Sequence, residues 1–174
     1  MTPETIPTTD RDYEFIVNGK PCSVRAPAHH TLLDTLRDAL GLTGSKKGCN
    51  EGECASCTVL IDDVPVNSCL VLIGDAAGKA VVTVEGIANG KPHPVQQAFV
   101  ELGGVQCGYC TPGMVVSTCA LLAETPDPTD DQIKTYLAGN ICRCTGYNKI
   151  TAAVRRAAAD LRDSDSAADH RSLK

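Results

Sequence analysis

Apolar and polar positions change rhythm about halfway along the chain. In the first half the apolar runs are short and rich in β-branched residues. The run YEFIV leads into Asn18-Gly19, the strongest short hairpin signal, and KPCSVRA follows as its antiparallel return. TLLDTLRDALG predicts a helix: Thr31 followed by Asp34 gives a capping-box-like start, and Leu33, Leu36 and Leu40 share one face. Gly41 is placed to close that helix. CTVLIDDVPVNSCLVL then gives two short β-rich runs around Asp62-Asp63, and AVVTVEG gives another. Strands around one helix predict a small α+β domain ending near residue 85.

GIANGKPHP is rich in Gly and Pro and reads as a linker. Beyond it the period becomes helical. Pro94 suits a first helical position before VQQAFVEL. A second helix starts at Thr111-Pro112, cap then first turn, and runs through GMVVSTCALLA, and a third, about 130–138, opens on the capping box of Thr129 and Gln132. A last helix over 148–161 carries Ile150, Val154, Ala157 and Leu161 on one stripe. Residues 163–174 lack apolar periodicity and are expected to form a mobile tail. An α+β domain followed by a small helical bundle is the organisation this implies.

Charge and composition narrow the possible partners. Net charge is −5, which makes nucleic acid a poor partner. No run approaches the roughly 18 consecutive apolar residues of a membrane span. The polar start MTPETIPTTDRDYEF has no basic segment followed by an apolar one, and no twin arginine, so a cytoplasmic location is expected. The chain holds 10 cysteines in 174 residues. In a reducing compartment such density points to metal or redox chemistry rather than disulfides. The 4 histidines are scattered and none adjoins a cysteine, so any metal site should be nearly all sulfur.

Eight of the cysteines fall into two sets of four. Cys49, Cys54, Cys57 and Cys69 are spaced C-x4-C-x2-C-x11-C, the plant-type [2Fe–2S] pattern. Three thiolates from one short segment must wrap an anionic core, and Gly48 and Gly52 supply the backbone freedom for it. Zinc prefers two facing short-spaced pairs; here Cys69 stands alone, which favours iron. Cys107, Cys110, Cys142 and Cys144 are spaced C-x2-C-x31-C-x1-C. On spacing alone zinc and iron stand level there. The two intervening helices carry the chain out and back, returning Cys142 toward Cys110. Cys110 directly precedes a helix N-terminus, whose positive end favours an anionic group. Cys22 and Cys119 are left over and read as buried, inert small hydrophobes. Lys46, Lys47 and Arg143 flank ligand candidates, as solvated charge or as interface contacts.

Together KKGCNEGECASCTVLIDD, QCGYCTPGMV and NICRCTGY resemble the small iron–sulfur subunit of molybdenum hydroxylases, the xanthine oxidase family, over about residues 13–160. The resemblance implies an α+β chain with an N-terminal plant-ferredoxin-like β-grasp domain over 11–86 and a C-terminal four-helix-bundle domain over 92–162. It implies two [2Fe–2S] clusters, one on Cys49, Cys54, Cys57 and Cys69 and one on Cys107, Cys110, Cys142 and Cys144. It further implies that Gln106 and Cys144 approach the molybdopterin of a large partner chain, and that a medium partner carries FAD. The complex would be a heterotrimer or a dimer of heterotrimers. Without the resemblance, Gln106 reads as an ordinary cap or surface amide.

The family often has C-G-A-C where this chain has Cys54-Ala55-Ser56-Cys57; Ala55 must avoid positive φ or carry strain. EGEC leans toward the family's purine and N-heterocycle hydroxylases, with an aldehyde-like substrate also within its range. The chain lacks a GxGxxG fingerprint and room for a pterin site. It therefore holds no substrate site, and its expected role is electron transfer. A free-standing ferredoxin and a protein with two structural zinc sites are the rivals. The first would need only one cluster, and the second would be colourless.

Overall fold

A computed structural model describes residues 10–88 and 90–169. Strands β1 (Asp10–Val17) and β2 (Lys20–Pro27) form an antiparallel hairpin that pairs Val17 with Lys20. Asn18 and Gly19 turn it with φ of 51° and 76°, the two positive angles that the tight right-twisted hairpin requires. The Asn18 side chain also accepts from Thr83 N at 2.9 Å and donates to Thr83 Oγ1 at 3.0 Å, tying the turn to the end of the strand that lies beside β1. A second hairpin joins β3 (Thr58–Ile61) to β4 (Val64–Asn67), turned by Asp62 and Asp63 at positive φ without a glycine. Strand β5 (Ala80–Val82) lies between the hairpins, parallel to β1 and antiparallel to β3. The sheet order is β2-β1-β5-β3-β4.

The first core lies on one face of this sheet. Phe15, Val17, Val24, Ala26, Val59, Ile61 and Val81 meet Leu32 and Leu36 of the helix across it. That helix begins as α1 (Leu32–Asp34), with Thr31 Oγ1 accepting from Asp34 N at 3.1 Å, the cap expected from sequence. It then widens into a π turn over Thr35–Ala39, with Leu40 N donating to Thr35 O at 3.1 Å. The extra residue rotates the apolar face. Leu32, Leu33 and Leu36 are fully buried while Leu40 is only half-buried. Two short helices were not foreseen. Helix α2 (Ile73–Ala76) follows directly after the expected second run, whose strand β4 ends early at Asn67, and α3 (Val84–Ile87) shortens the AVVTVEG strand to three residues.

The second half holds α4 (Pro94–Glu101), α5 (Thr111–Glu124), α6 (Asp130–Tyr136), a 3-10 turn (Leu137–Gly139) and α7 (Asn148–Asp169). Both expected N-terminal signals for α4 and α6 hold: Pro94 is the first helical residue, and Thr129 and Gln132 exchange capping bonds. His93 is the cap of α4, its Nδ1 accepting from Val95 N at 3.3 Å while Gln96 Oε1 accepts from His93 N. Phe99, Met114, Ile133, Ile150 and Val154 form the second core. Helix α7 runs past residue 161 and takes in 163–169 of the expected tail; 170–174 lie outside the described residues. Once its inner stripe is docked, each further turn needs only one hydrogen bond per residue fixed, and Ala, Asp and Ser do not break it.

Strand β3 is buried on both faces. Its Leu60 packs against Val116 and Ala120 of α5, which joins the two halves through a third apolar cluster. TVLI therefore reads as a continuous apolar run rather than an alternating one. Among the described residues no helix is long and apolar enough to cross a membrane.

Candidate metal centres

The first four cysteines lie on a loop that folds around its own sulfurs. Arg37 Nη1 donates to the carbonyls of Thr43 and Ser45 at 2.9 and 2.8 Å, and Lys46 N donates to Ser56 O at 3.0 Å, closing the loop. Asn50, Gly52 and Ala55 all take positive φ, 62°, 81° and 50°. This curl turns successive N–H groups inward. Glu51, Glu53 and Cys54 donate their backbone N–H to Cys49 Sγ at 3.3–3.4 Å, and Cys49 N donates to Cys54 Sγ at 3.4 Å. Gly52 is required twice: its φ suits glycine, and a Cβ there would stand 2.4 Å from Leu70 Cδ1. Asn67 Nδ2 donates to its carbonyl at 2.7 Å. Ser68 Oγ donates to Cys57 O at 2.7 Å, which brings Cys69 beside Cys57. Both of these cysteines are buried with Leu33.

The second four come from segments more than thirty residues apart. Cys110, rather than the Thr111 expected as cap, occupies the N-cap of α5, and its thiol makes no capping bond. Cys142 follows the 3-10 turn that ends α6. The two helices bring these segments together, and Cys144 Sγ lies 3.6 Å from Cys107 Sγ. Tyr147, at φ 67°, folds back so that its hydroxyl accepts from Cys142 N at 2.8 Å. Cys142 Sγ is approached by Thr145 Oγ1 at 3.1 Å and accepts from Thr145 N at 3.4 Å.

Among the described residues no three of His, Cys, Asp and Glu converge on a point that would suit one metal ion. The thiols instead stand in pairs: Cys49 with Cys54, Cys57 with Cys69, Cys110 with Cys142 and Cys107 with Cys144. Two pairs per region, all sulfur and fringed by inward N–H donors, fit a diiron cluster in which each iron takes two protein thiolates.

The thiols differ in how readily they ionise. The backbone N–H of Glu51, with that of Cys54, pulls Cys49 down to about 7. Burial pushes Cys69 up to about 11 and Cys110 up to about 12. For Cys142, burial raises the value but the Thr145 hydroxyl and N–H outweigh it and lower it.

Other expected residues fall as follows. Gln106 is exposed beside Cys107, and Cys107 and Cys144 are themselves exposed, so all three lie at an open edge. Lys47 is paired with Asp34 at 2.7 Å and Lys46 donates to Thr43 O at 2.8 Å; both brace the loop. Arg143 is exposed. Cys22 and Cys119 are partly buried, each packed at the edge of a core, short of the burial expected for them. Burial still raises both thiols, Cys119 to about 12. Sequence reasoning missed Thr145, Tyr147, Tyr109 and Asn140. Each stands within three residues of a ligand candidate, but adjacency alone did not reveal which way it would bond.

Two family models match this chain: a 2Fe-2S iron-sulfur cluster binding domain over residues 15–80 and a [2Fe-2S] binding domain over 83–155. The nicotinate dehydrogenase small FeS subunit of Eubacterium barkeri is 51% identical over 142 residues, covering 81% of this chain and 90% of that one. A nicotinate dehydrogenase subunit from Pseudomonas putida is 47% identical over 143 residues, with 82% and 91% covered. A chain of quinoline 2-oxidoreductase from Pseudomonas putida 86 superposes with a TM-score of 0.86 at 40% identity, covering 88% of this chain and 97% of that one. Aldehyde oxidoreductase from Desulfovibrio desulfuricans gives a TM-score of 0.85 at 40% identity, matching 87% of this chain but 17% of that longer one. The class these matches define is a two-domain [2Fe–2S] protein. The chain belongs to the small iron–sulfur subunits of the molybdenum hydroxylases, which are parts of oxidoreductase complexes.

Proposed function

We propose that this chain carries electrons from a molybdopterin on a large partner to FAD on a medium one, in a cytoplasmic heterotrimer or a dimer of heterotrimers. Its first domain, 11–86, is read as a ferredoxin-like β-grasp and its second, 92–162, as a four-helix bundle. Cys49, Cys54, Cys57 and Cys69 would hold one [2Fe–2S] cluster, and Cys107, Cys110, Cys142 and Cys144 the other. Bound there, the clusters supply one-electron redox capacity, with the helical-domain cluster first in line from the molybdenum side. The observation that carries this reading is the arrangement of eight cysteines as two groups of two facing pairs.

The chain's own residues act on the charge of the site. The N–H groups of Glu51, Glu53 and Cys54 stabilise negative charge on Cys49 Sγ, and Thr145 does the same for Cys142 Sγ. The exposed edge of Gln106, Cys107 and Cys144 is the side offered to the pterin. Apolar residues rim both centres: Leu70 is 62% exposed, Ile141 50% and Tyr109 47%. Such a rim suits docking against partner chains. Since the E. barkeri and P. putida relatives are named for nicotinate and the P. putida 86 structure for quinoline, an N-heterocycle is the favoured substrate of the complex, ahead of an aldehyde.

Purification of the chain with whatever accompanies it tests the reading. Expected are iron and sulfide in equal amounts, visible absorption, two distinguishable EPR signals after reduction, and two companion chains, one large and one medium. A colourless protein carrying zinc and no iron would sink it.

A further inference from the structure

The two cysteine regions are joined by a buried bridge built from the residues just before Cys142. Asn140 is 5% exposed, and an amide taken out of water at that depth needs partners. Its side chain finds one in the other domain: Nδ2 donates to the Ala55 carbonyl at 3.3 Å. The next backbone group, Ile141 N, donates to the Cys54 carbonyl at 3.1 Å. Two successive groups on one strand of chain therefore hold two successive carbonyls on the other. Cys54 and Cys142 are separated by a single hydrogen bond and one peptide unit.

The Ala55 carbonyl is held from three further sides. Thr58 N and Oγ1 donate to it at 3.2 and 2.7 Å. Gly113, in the first turn of α5, lets the helix touch it, since a Cβ there would stand 2.1 Å from that oxygen. Ala55 itself sits at φ 50°, a conformation that costs an L-residue energy and persists only where its surroundings enforce it. A second link, Tyr109 OH donating to Lys47 O at 2.7 Å, lies at the exposed edge. Of these two links the Asn140 bridge is the buried one.

We propose that Asn140 is a positioning residue that fixes the separation of the two metal centres, by clamping the Cys54–Ala55 peptide against the segment that enters Cys142. This rests on the reading that each cysteine set holds a [2Fe–2S] cluster. The spacing matters because exchange of a single electron between two centres depends steeply on their distance. An aspartate would set a carboxylate against a carbonyl, and a leucine would fill the same space with no donor. Asparagine supplies both the size and the N–H.

The test uses the full chain with its iron, reduced by dithionite, as wild type, Asn140→Leu and the milder Asn140→Ser. Low-temperature EPR reads the magnetic interaction between the two reduced centres, which falls with the cube of their separation. Iron content and thermal midpoint are followed alongside. Expected are two signals of wild-type intensity whose mutual splitting is shifted or lost. An unchanged splitting would overturn the proposal, as would wild-type protein with two signals and no interaction. Loss of one signal in both variants would overturn it too, since Asn140 would then serve to fold a ligand loop. Wild-type protein without two iron–sulfur signals would instead defeat the underlying functional reading.

Discussion

The two cysteine regions achieve similar donor sets by opposite routes. In the first, three of four thiols belong to one nine-residue loop, Cys49 to Cys57, and local backbone geometry aims their hydrogen bonds. In the second, two short-spaced pairs stand apart in sequence, and helix packing brings them together. The first should therefore depend on loop conformation and the second on the core of the helical domain. This distinction can be broken or sharpened by substitution.

The largest effect is expected at the thiols. Cys142→Ser or Cys144→Ser should abolish one of two EPR signals and leave the other intact, with turnover of the complex lost. Persistence of both signals would refute the assignment of these cysteines. Next comes Phe99→Ala. Phe99 is 1% exposed in the helical core, so its truncation should cost about 3–5 kcal/mol. Urea denaturation should show it, and iron retention should fall at the second region before the first. Equal loss at both would mean that the domains do not differ in this dependence.

A smaller change, of opposite sign, is expected in the first loop. Ala55→Gly relieves the strain of φ 50° and should stabilise by up to about 1 kcal/mol, after the added freedom of the unfolded chain is subtracted. A lower thermal midpoint would contradict it. The smallest effect concerns pH. Burial holds His93 below the ordinary imidazole value, so the folded chain favours the neutral ring that caps α4. With the folded pKa below the unfolded value of about 6.5, stability is full above that pH and falls as pH drops through the folded value. His93→Asn keeps a capping side chain and should flatten that slope in denaturation midpoints taken from neutral to mildly acidic pH. The same slope in both proteins would count against it.

Punctuation carried much of the fold. Asn18-Gly19, Asp62-Asp63, Thr31, Pro94 and Thr129 each mark a turn or helix start found in the structure, because each acts through its own backbone or a neighbour three residues on. Misreadings fell where distant contacts decide. The Leu face of the first helix is rotated by a π turn, VTVEG splits into a strand and a helical turn, and α7 outruns its apolar stripe.

The sequence by itself determined that eight cysteines fall into two groups of four, one on an α+β half and one on a helical half, since thiol spacing, turn residues and helix caps are local properties. It left zinc and iron level at the second set until the companion loop and the family resemblance were weighed. Only the tertiary structure decided how the thiols pair, that Thr145 and Tyr147 turn back on Cys142, and that Asn140 reaches Ala55 across 85 residues. The Asn140 bridge and the pairing of Cys107 with Cys144 join residues remote in the chain, while Thr145 and Tyr147 lie three and five residues from Cys142; in both cases side-chain direction is set by packing and backbone geometry rather than by spacing.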